Sequence, residues 1–147
     1  MSRKGAPVSA GGPTAPLNAV RLVLPWPPTT NNLYATVNGR RVKSAAGRMY
    51  EERVRLAIWT MFDHRRPADS WPLRPPYRIS IELHAPKAMR YDVANREKAV
   101  MDALFAAIEQ DDSVVDELLI CRREPSREQP GCVVVVEELR RALGVGG

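Results

Sequence analysis

Sulfur and imidazole chemistry have little to work with in this chain, which holds 2 cysteines and 2 histidines among 147 residues. Cys121 and Cys132 lack CxxC spacing and define no zinc site, so they read as two reduced thiols in or near a sheet. No apolar run approaches the roughly 18 residues of a membrane span. Residues 1–16 carry Arg3 and Lys4 but no apolar segment, which argues against a secretory signal and makes a cytoplasmic location the expectation. No internal repeat is visible.

What is present is an ordinary globular composition, 44% hydrophobic and 27% charged, enough for one modest core and one domain. Lys and Arg outnumber Asp and Glu by 22 to 17, a net charge of +5. Such an excess suits a polyanion as readily as it suits solubility. Its distribution says more. Arg40, Arg41, Lys43, Arg48, Arg53 and Arg55 crowd one segment, against Glu51 and Glu52. Glu109, Asp111, Asp112, Asp116 and Glu117 crowd another that has no base. A basic surface beside a dense acidic cluster fits DNA plus a divalent metal better than DNA alone.

Residues 1–17, rich in Gly, Pro, Ala and Ser, read as a disordered arm, residues 18–140 as the domain, and 141–147 as a flexible tail. Ala19–Leu24 alternates as a strand until Pro25, Pro27 and Pro28 stop it, leaving W-P-P-T-T-N-N as a loop. Asn38-Gly39 between Leu33–Val37 and Arg40–Lys43 signals a hairpin with a type I′ turn. Ser44 is the expected N-cap of a first helix whose stripe is Tyr50, Val54, Ala57, Ile58 and Met61. Met49, Leu56 and Trp59 fall near its opposite side. Either a partner subunit or a loop folding back over Trp59 would cover them. After a loop over 63–76, Tyr77–His84 alternates cleanly, with Ile79, Ile81 and Leu83 on one face. A second helix is expected from Val93 to Ile108, with Val100, Ala103, Leu104, Ala107 and Ile108 inward. Strands near Glu117–Arg123 and Cys132–Glu137 follow. The fold class is α/β in the broad, α+β sense: a single domain, a mixed sheet and two main helices.

The chemistry gathers between His84 and Asp116. Asp92 precedes the second helix, on which Asn95, Lys98 and Asp102 fall within about a 60° arc opposite the apolar stripe. The loop carrying Asp111 and Asp112 returns after that helix. Two carboxylate sources near a lysine are what a magnesium-dependent phosphodiesterase needs, since magnesium takes only one or two carboxylates. Spacing alone also fits an Asp cap and an ordinary Lys98–Asp102 pair.

Three segments carry a resemblance: L-P-W-P-P-T-T-N-N, R-Y-D-V-A-N-R-E-K-A-V-M-D-A-L and D-D-S-V-V-D-E-L. In order and separation they resemble the RusA family of Holliday-junction resolvases, over roughly Leu22 to Leu139. The central segment resembles that family's signature, approximately D-x-D-N-x-x-K-x-x-x-D-x-L. The resemblance implies Asp92 as the first metal-binding Asp, Asn95 as the Asn following the pair, and Lys98 as a catalytic lysine. It implies Asp112 as the distal catalytic Asp, with Asp111 as a one-residue alternative, and a more structural Asp102. Trp26, Asn31 and Asn32 match a loop that shapes the site. It further implies a homodimer that binds four-way junctions and nicks two strands symmetrically with Mg2+ or Mn2+. Sources among bacteria, phages and prophages are also implied.

The departure is Ala94, where the signature has its second Asp. Two explanations stand: an inactivated variant, or a divergent member that draws in Asp111 or Glu97 instead. Without that carboxylate, metal should bind more weakly and cleavage should fall by orders of magnitude. Lys43, Arg41, Arg48 and Arg90 are candidate phosphate contacts, or a solvated face. Tyr91 would stack on a base or simply pack, and His84 would touch the metal or stand aside. The functions in competition are a junction-resolving endonuclease, a non-catalytic branched-DNA-binding protein, and a basic scaffold unrelated to DNA.

Overall fold

The structure, a computed structural model, describes residues 18–139. The expected arm over 1–17 and tail over 141–147 lie outside the described residues. Three strands alternate so that one face of each is apolar. β4 (Tyr77–His84) buries Tyr77, Ile79, Ile81 and Leu83 completely. β6 (Gly131–Glu138) pairs antiparallel to it and places Cys132, Val134 and Val136 on that same face. β1 (Ala19–Leu24) pairs antiparallel to β6 and adds Leu22 and Leu24. β5 (Val115–Arg122) runs parallel to β4 at the far edge, which completes the sheet order β1-β6-β4-β5. The sheet is mixed, as its sequence pattern implied.

α1 (Ala45–Met61) and α3 (Glu97–Ile108) share one core cluster with that buried face. Burying each such Ile, Leu or Val contributes about 1.5–3 kcal/mol. α3 links the parallel pair β4 and β5, so these three form a βαβ unit. Unlike α1 it is apolar on most sides: Ala99, Met101 and Phe105 join the expected inward residues in burial. The alternate residues on the other face of the sheet are partly or fully exposed, Val23 at 52% and Leu119 at 62%.

β2 (Tyr34–Val37) and β3 (Arg40–Lys43) form the expected hairpin, with Asn38 at φ 53° and Gly39 at φ 74°. Positive φ at both turn residues is what a type I′ turn requires. Ser44 caps α1, its Oγ accepting from Gly47 N at 3.0 Å. Met61, expected on the inward stripe, is 40% exposed, because the helix ends there and the chain turns away. The chain after α1 does fold back: the His64 ring stacks on Trp59 at 4.2 Å. It then forms a short helix, α2 (Pro67–Ser70), inside the stretch read as loop.

The second helix does not begin at Val93. Val93–Asn95 is a 3-10 turn, and Arg96, in the right-handed region at φ −114°, joins it to α3, which starts at Glu97. The cause is local competition for the backbone. The Asp92 carboxylate accepts from Ala94 N at 3.1 Å, and Asn95 N donates to Asp92 O at 3.0 Å. These bonds close a tight turn where an α-helix would need its own ladder.

Candidate active site

The Pro-rich loop after β1 is tied to the Asp92–Arg96 turn from two sides. Thr30 Oγ1 donates to Asn95 O at 3.2 Å, and Arg96 Nη1 donates to Pro27 O at 2.6 Å. Asn32 contributes through its main chain: its carbonyl accepts from Ser44 Oγ at 2.5 Å while the residue stays exposed. Loop, turn and the start of α1 are therefore one fixed unit.

Beside that unit, Lys98 Nζ sits 3.2 Å from Asp102 Oδ2. The Tyr34 hydroxyl donates to the same oxygen at 3.4 Å, and the Arg41 guanidinium lies 4.2 Å over the Tyr34 ring. The hydrogen bond and charge of Asp102 hold the Lys98 ammonium pKa above its ordinary value, and Asp112 adds to that. Glu97 is the reverse case. Partial burial raises its carboxyl pKa, and the charges of Asp102 and Asp112 raise it further against the opposing pull of Lys98. Lys98, Asp102, Asp112 and Glu97 thus share one electric field.

An open cavity of about 300 Å³ adjoins them, lined by Lys43, Glu51, Asp102, Gln110, Asp111 and Asp112. Gln110 is positioned from the core, because the buried Tyr77 hydroxyl donates to its Oε1 at 2.9 Å. The two candidate distal acids differ in occupancy. Asp111 accepts from Ser113 Oγ at 2.5 Å, a local turn bond. Asp112 is exposed, and no hydrogen bond or ion pair with another described residue engages its carboxylate.

Not every expected residue converges. Asp92 is exposed and spends one oxygen on the Ala94 cap; it lies at the turn, outside the lining of the acidic cavity. Asn95 belongs to the 3-10 turn, so the helical arc expected for Asn95, Lys98 and Asp102 holds only for the last two. Lys43 is ion-paired with Glu51, and Arg48 donates to Lys43 O at 2.7 Å. Arg90 is exposed, whereas Tyr91 packs: its ring lies between Arg122 at 4.5 Å and Arg96 at 5.9 Å, edge-on to Trp26 at 5.1 Å. His84 Nδ1 pairs with Glu124 O at 2.9 Å. Arg96 and Gln110 were not singled out in the sequence. Arg96 breaks no periodicity that would reveal its burial, and Gln110 is recognisable only through its contact with Tyr77.

Among the described residues, no three His, Cys, Asp or Glu side chains form a ready-made metal cage. Magnesium does not need one, since it binds through one or two carboxylates plus waters and substrate phosphate. The donor set fits that mode: hard oxygen donors, an unengaged Asp112, and a Glu97 whose ionisation is opposed first by burial and then by the charges of Asp102 and Asp112.

The sequence model of the family described as Endodeoxyribonuclease RusA matches residues 25–137. A crossover junction endodeoxyribonuclease of Enterobacteria phage 82 is 37% identical over 92 residues, 62% of this chain and 71% of the relative. The proteins of that name from Escherichia coli (strain K12) and Shigella sonnei (strain Ss046) match with the same identity and coverage. With the match covering most of the chain, and with the loop, turn and acidic strand entry all inside it, the chain belongs to the RusA family of endodeoxyribonucleases.

Proposed function

We propose that this chain is a structure-specific endonuclease that resolves four-way DNA junctions by paired nicks, acting as a homodimer with Mg2+, or Mn2+ in its place. The observation that carries this reading is the Lys98–Asp102–Asp112 grouping beside an open cavity, in a family whose relatives are junction endonucleases. A two-fold dimer suits a junction of approximate two-fold symmetry, one site meeting each of two opposed strands. The bacterial or phage-infected cytoplasm is where such DNA would be met. Among the described residues no helix is long and apolar enough to cross a membrane.

By the family resemblance Asp112, on the cavity, and Asp92, on its turn outside the cavity lining, would hold the ion, with Asp111 and Glu97 as further oxygen donors. When bound, the ion supplies charge that polarises the phosphoryl group and lowers the pKa of the attacking water. The chain's own residues do the rest. Asp102 and Tyr34 fix Lys98, whose ammonium meets a non-bridging phosphate oxygen as charge develops. Arg41, Arg48, Arg90 and Asn95 border the path of the backbone. Asp92 holds its turn by accepting from Ala94 N with one carboxylate oxygen.

Ala94 favours a second reading, a relative that binds branches without cutting them. Ala94 is exposed on the turn and offers no carboxylate. Cleavage of a labelled junction with Mg2+ and with Mn2+, for this chain and its Ala94→Asp form, separates the two readings. The proposal expects symmetric nicks from Ala94→Asp at rates orders of magnitude above the parent. If both forms bind the junction and neither cuts it, the nuclease reading fails. Cleavage by the parent that Asp92→Asn abolishes removes the binding-only reading.

A further inference from the structure

Trp26, Pro27 and Pro28, the first turns of α1 and Arg96 line an open cavity of about 230 Å³, apart from the acidic one. Its walls include Trp26, Pro27, Pro28, Met49, Arg53 and Arg96. Arg96 is the one buried charged side chain among the described residues, at 9% exposure. Its guanidinium lies 4.8 Å over the Trp26 ring and bonds Pro27 O, yet Nε is buried without a partner. Among the described residues no carboxylate pairs with it, and burial pulls its pKa below the ordinary guanidinium value. Arg53, exposed on α1, is likewise without an ion pair to a described residue. Met49 stands on the same rim, 55% exposed although apolar.

A buried cation with an unmet donor, a second free guanidinium, an aromatic ring and a bare thioether form a wall for something flat, apolar and anionic. A nucleotide has that chemistry: a π-face for the apolar wall and a phosphate for the two arginines. No acidic side chain lines the cavity.

We propose that this cavity receives one unstacked nucleotide from the branch point, its base against Trp26, Pro27 and Met49 and its phosphate toward Arg53 and Arg96. The proposal rests on the junction-binding reading. In the open form that a four-way junction takes without divalent ions, base pairs at the exchange point lack a stacking neighbour on one side, so drawing a base out costs less there than in duplex. The bonds from Thr30 to Asn95 and from Arg96 to Pro27 join this cavity to the Asp92 turn. A seated nucleotide would therefore fix the register of the phosphate offered to the acidic site.

The test uses the full chain without divalent ions and a four-way junction carrying 2-aminopurine at the exchange point. Met49→Glu and Arg53→Glu change exposed positions, and their melting temperatures should match the parent. The parent should alter the probe's fluorescence on binding, with no response when the probe sits within an arm. Each variant should lose that response and bind the junction about 10-fold more weakly, a loss within the range for removing one stacking or phosphate contact. Affinity for plain duplex should stay within about twofold for Met49→Glu. Unchanged fluorescence on binding, or variants that bind the junction as the parent does, overturns the proposal. If Met49→Glu instead turns a dimer into monomers in sedimentation, the face is a subunit contact and the proposal is likewise overturned. A parent with no preference for junction over duplex overturns the junction reading itself.

Discussion

Replacing Arg96 with Met should make the free protein more stable, and the reason lies in what surrounds the guanidinium. At 9% exposure, though bordering an open cavity, it has lost much of its water. Removing a cation from water costs several kcal/mol in a protein, taken here as about 4. Against that stand one charge-assisted bond to Pro27 O, about 2 kcal/mol, and the contacts with the Trp26 and Tyr91 rings, together about 1 kcal/mol. The unmet Nε offsets nothing further. Met keeps the aliphatic length and removes the penalty, leaving the Pro27 carbonyl to bond water at the cavity. The balance is about 1 kcal/mol in favour of Arg96→Met, or roughly 4 °C in Tm for a domain of this size. Thermal melts and urea unfolding of the free protein measure it, with junction affinity measured alongside. A loss of about 2 kcal/mol or more would refute the reasoning, because it would mean the folded chain already compensates this charge.

Other substitutions report on the frame and on the site. Gly131 has φ 150°, and a Cβ there would stand 2.3 Å from Leu24 O, so Gly131→Ala should cost about 3 kcal/mol or more by forcing β6 from β1. Ser44→Ala removes the cap of α1 and the tie to Asn32 O; urea unfolding should register a loss of about 1 kcal/mol. Lys98 has a folded pKa raised chiefly by Asp102, so its charge is present at low and neutral pH and disappears as pH rises through the raised value. Asp102→Asn lowers that value. The alkaline limb of junction binding or cleavage should then move to lower pH, and an unmoved limb would show that Lys98 does not carry it.

The hairpin, the cap at Ser44, β1 and β4 were legible because each depends on neighbours in sequence: positive φ at Asn38-Gly39, a hydroxyl before a helix, alternation by two. The resemblance was legible because its motifs are short and ordered. The start of α3 was not. Helical periodicity runs through Val93–Arg96, but the Asp92 carboxylate closes a 3-10 turn on Ala94 N, and Thr30 and Pro27, distant in sequence, hold Asn95 O and the Arg96 guanidinium in that arrangement. The placement of Asn95 off the helix face follows from the same bonds.

The sequence by itself determined the mixed α and β elements, the candidate acids and lysine, and an alanine at position 94, since all of these are residue identities or local periodicities. Only the tertiary structure decided that Asp111 spends its carboxylate on Ser113 while Asp112 stays unengaged, that Glu97 shares a field with Asp102 and Asp112, and that Tyr91 is packed rather than presented. It alone buried Arg96 without a counter-charge beside Trp26. Burial and charge pairing are set by which distant segments meet, and an amino-acid order states those meetings only after the chain has folded.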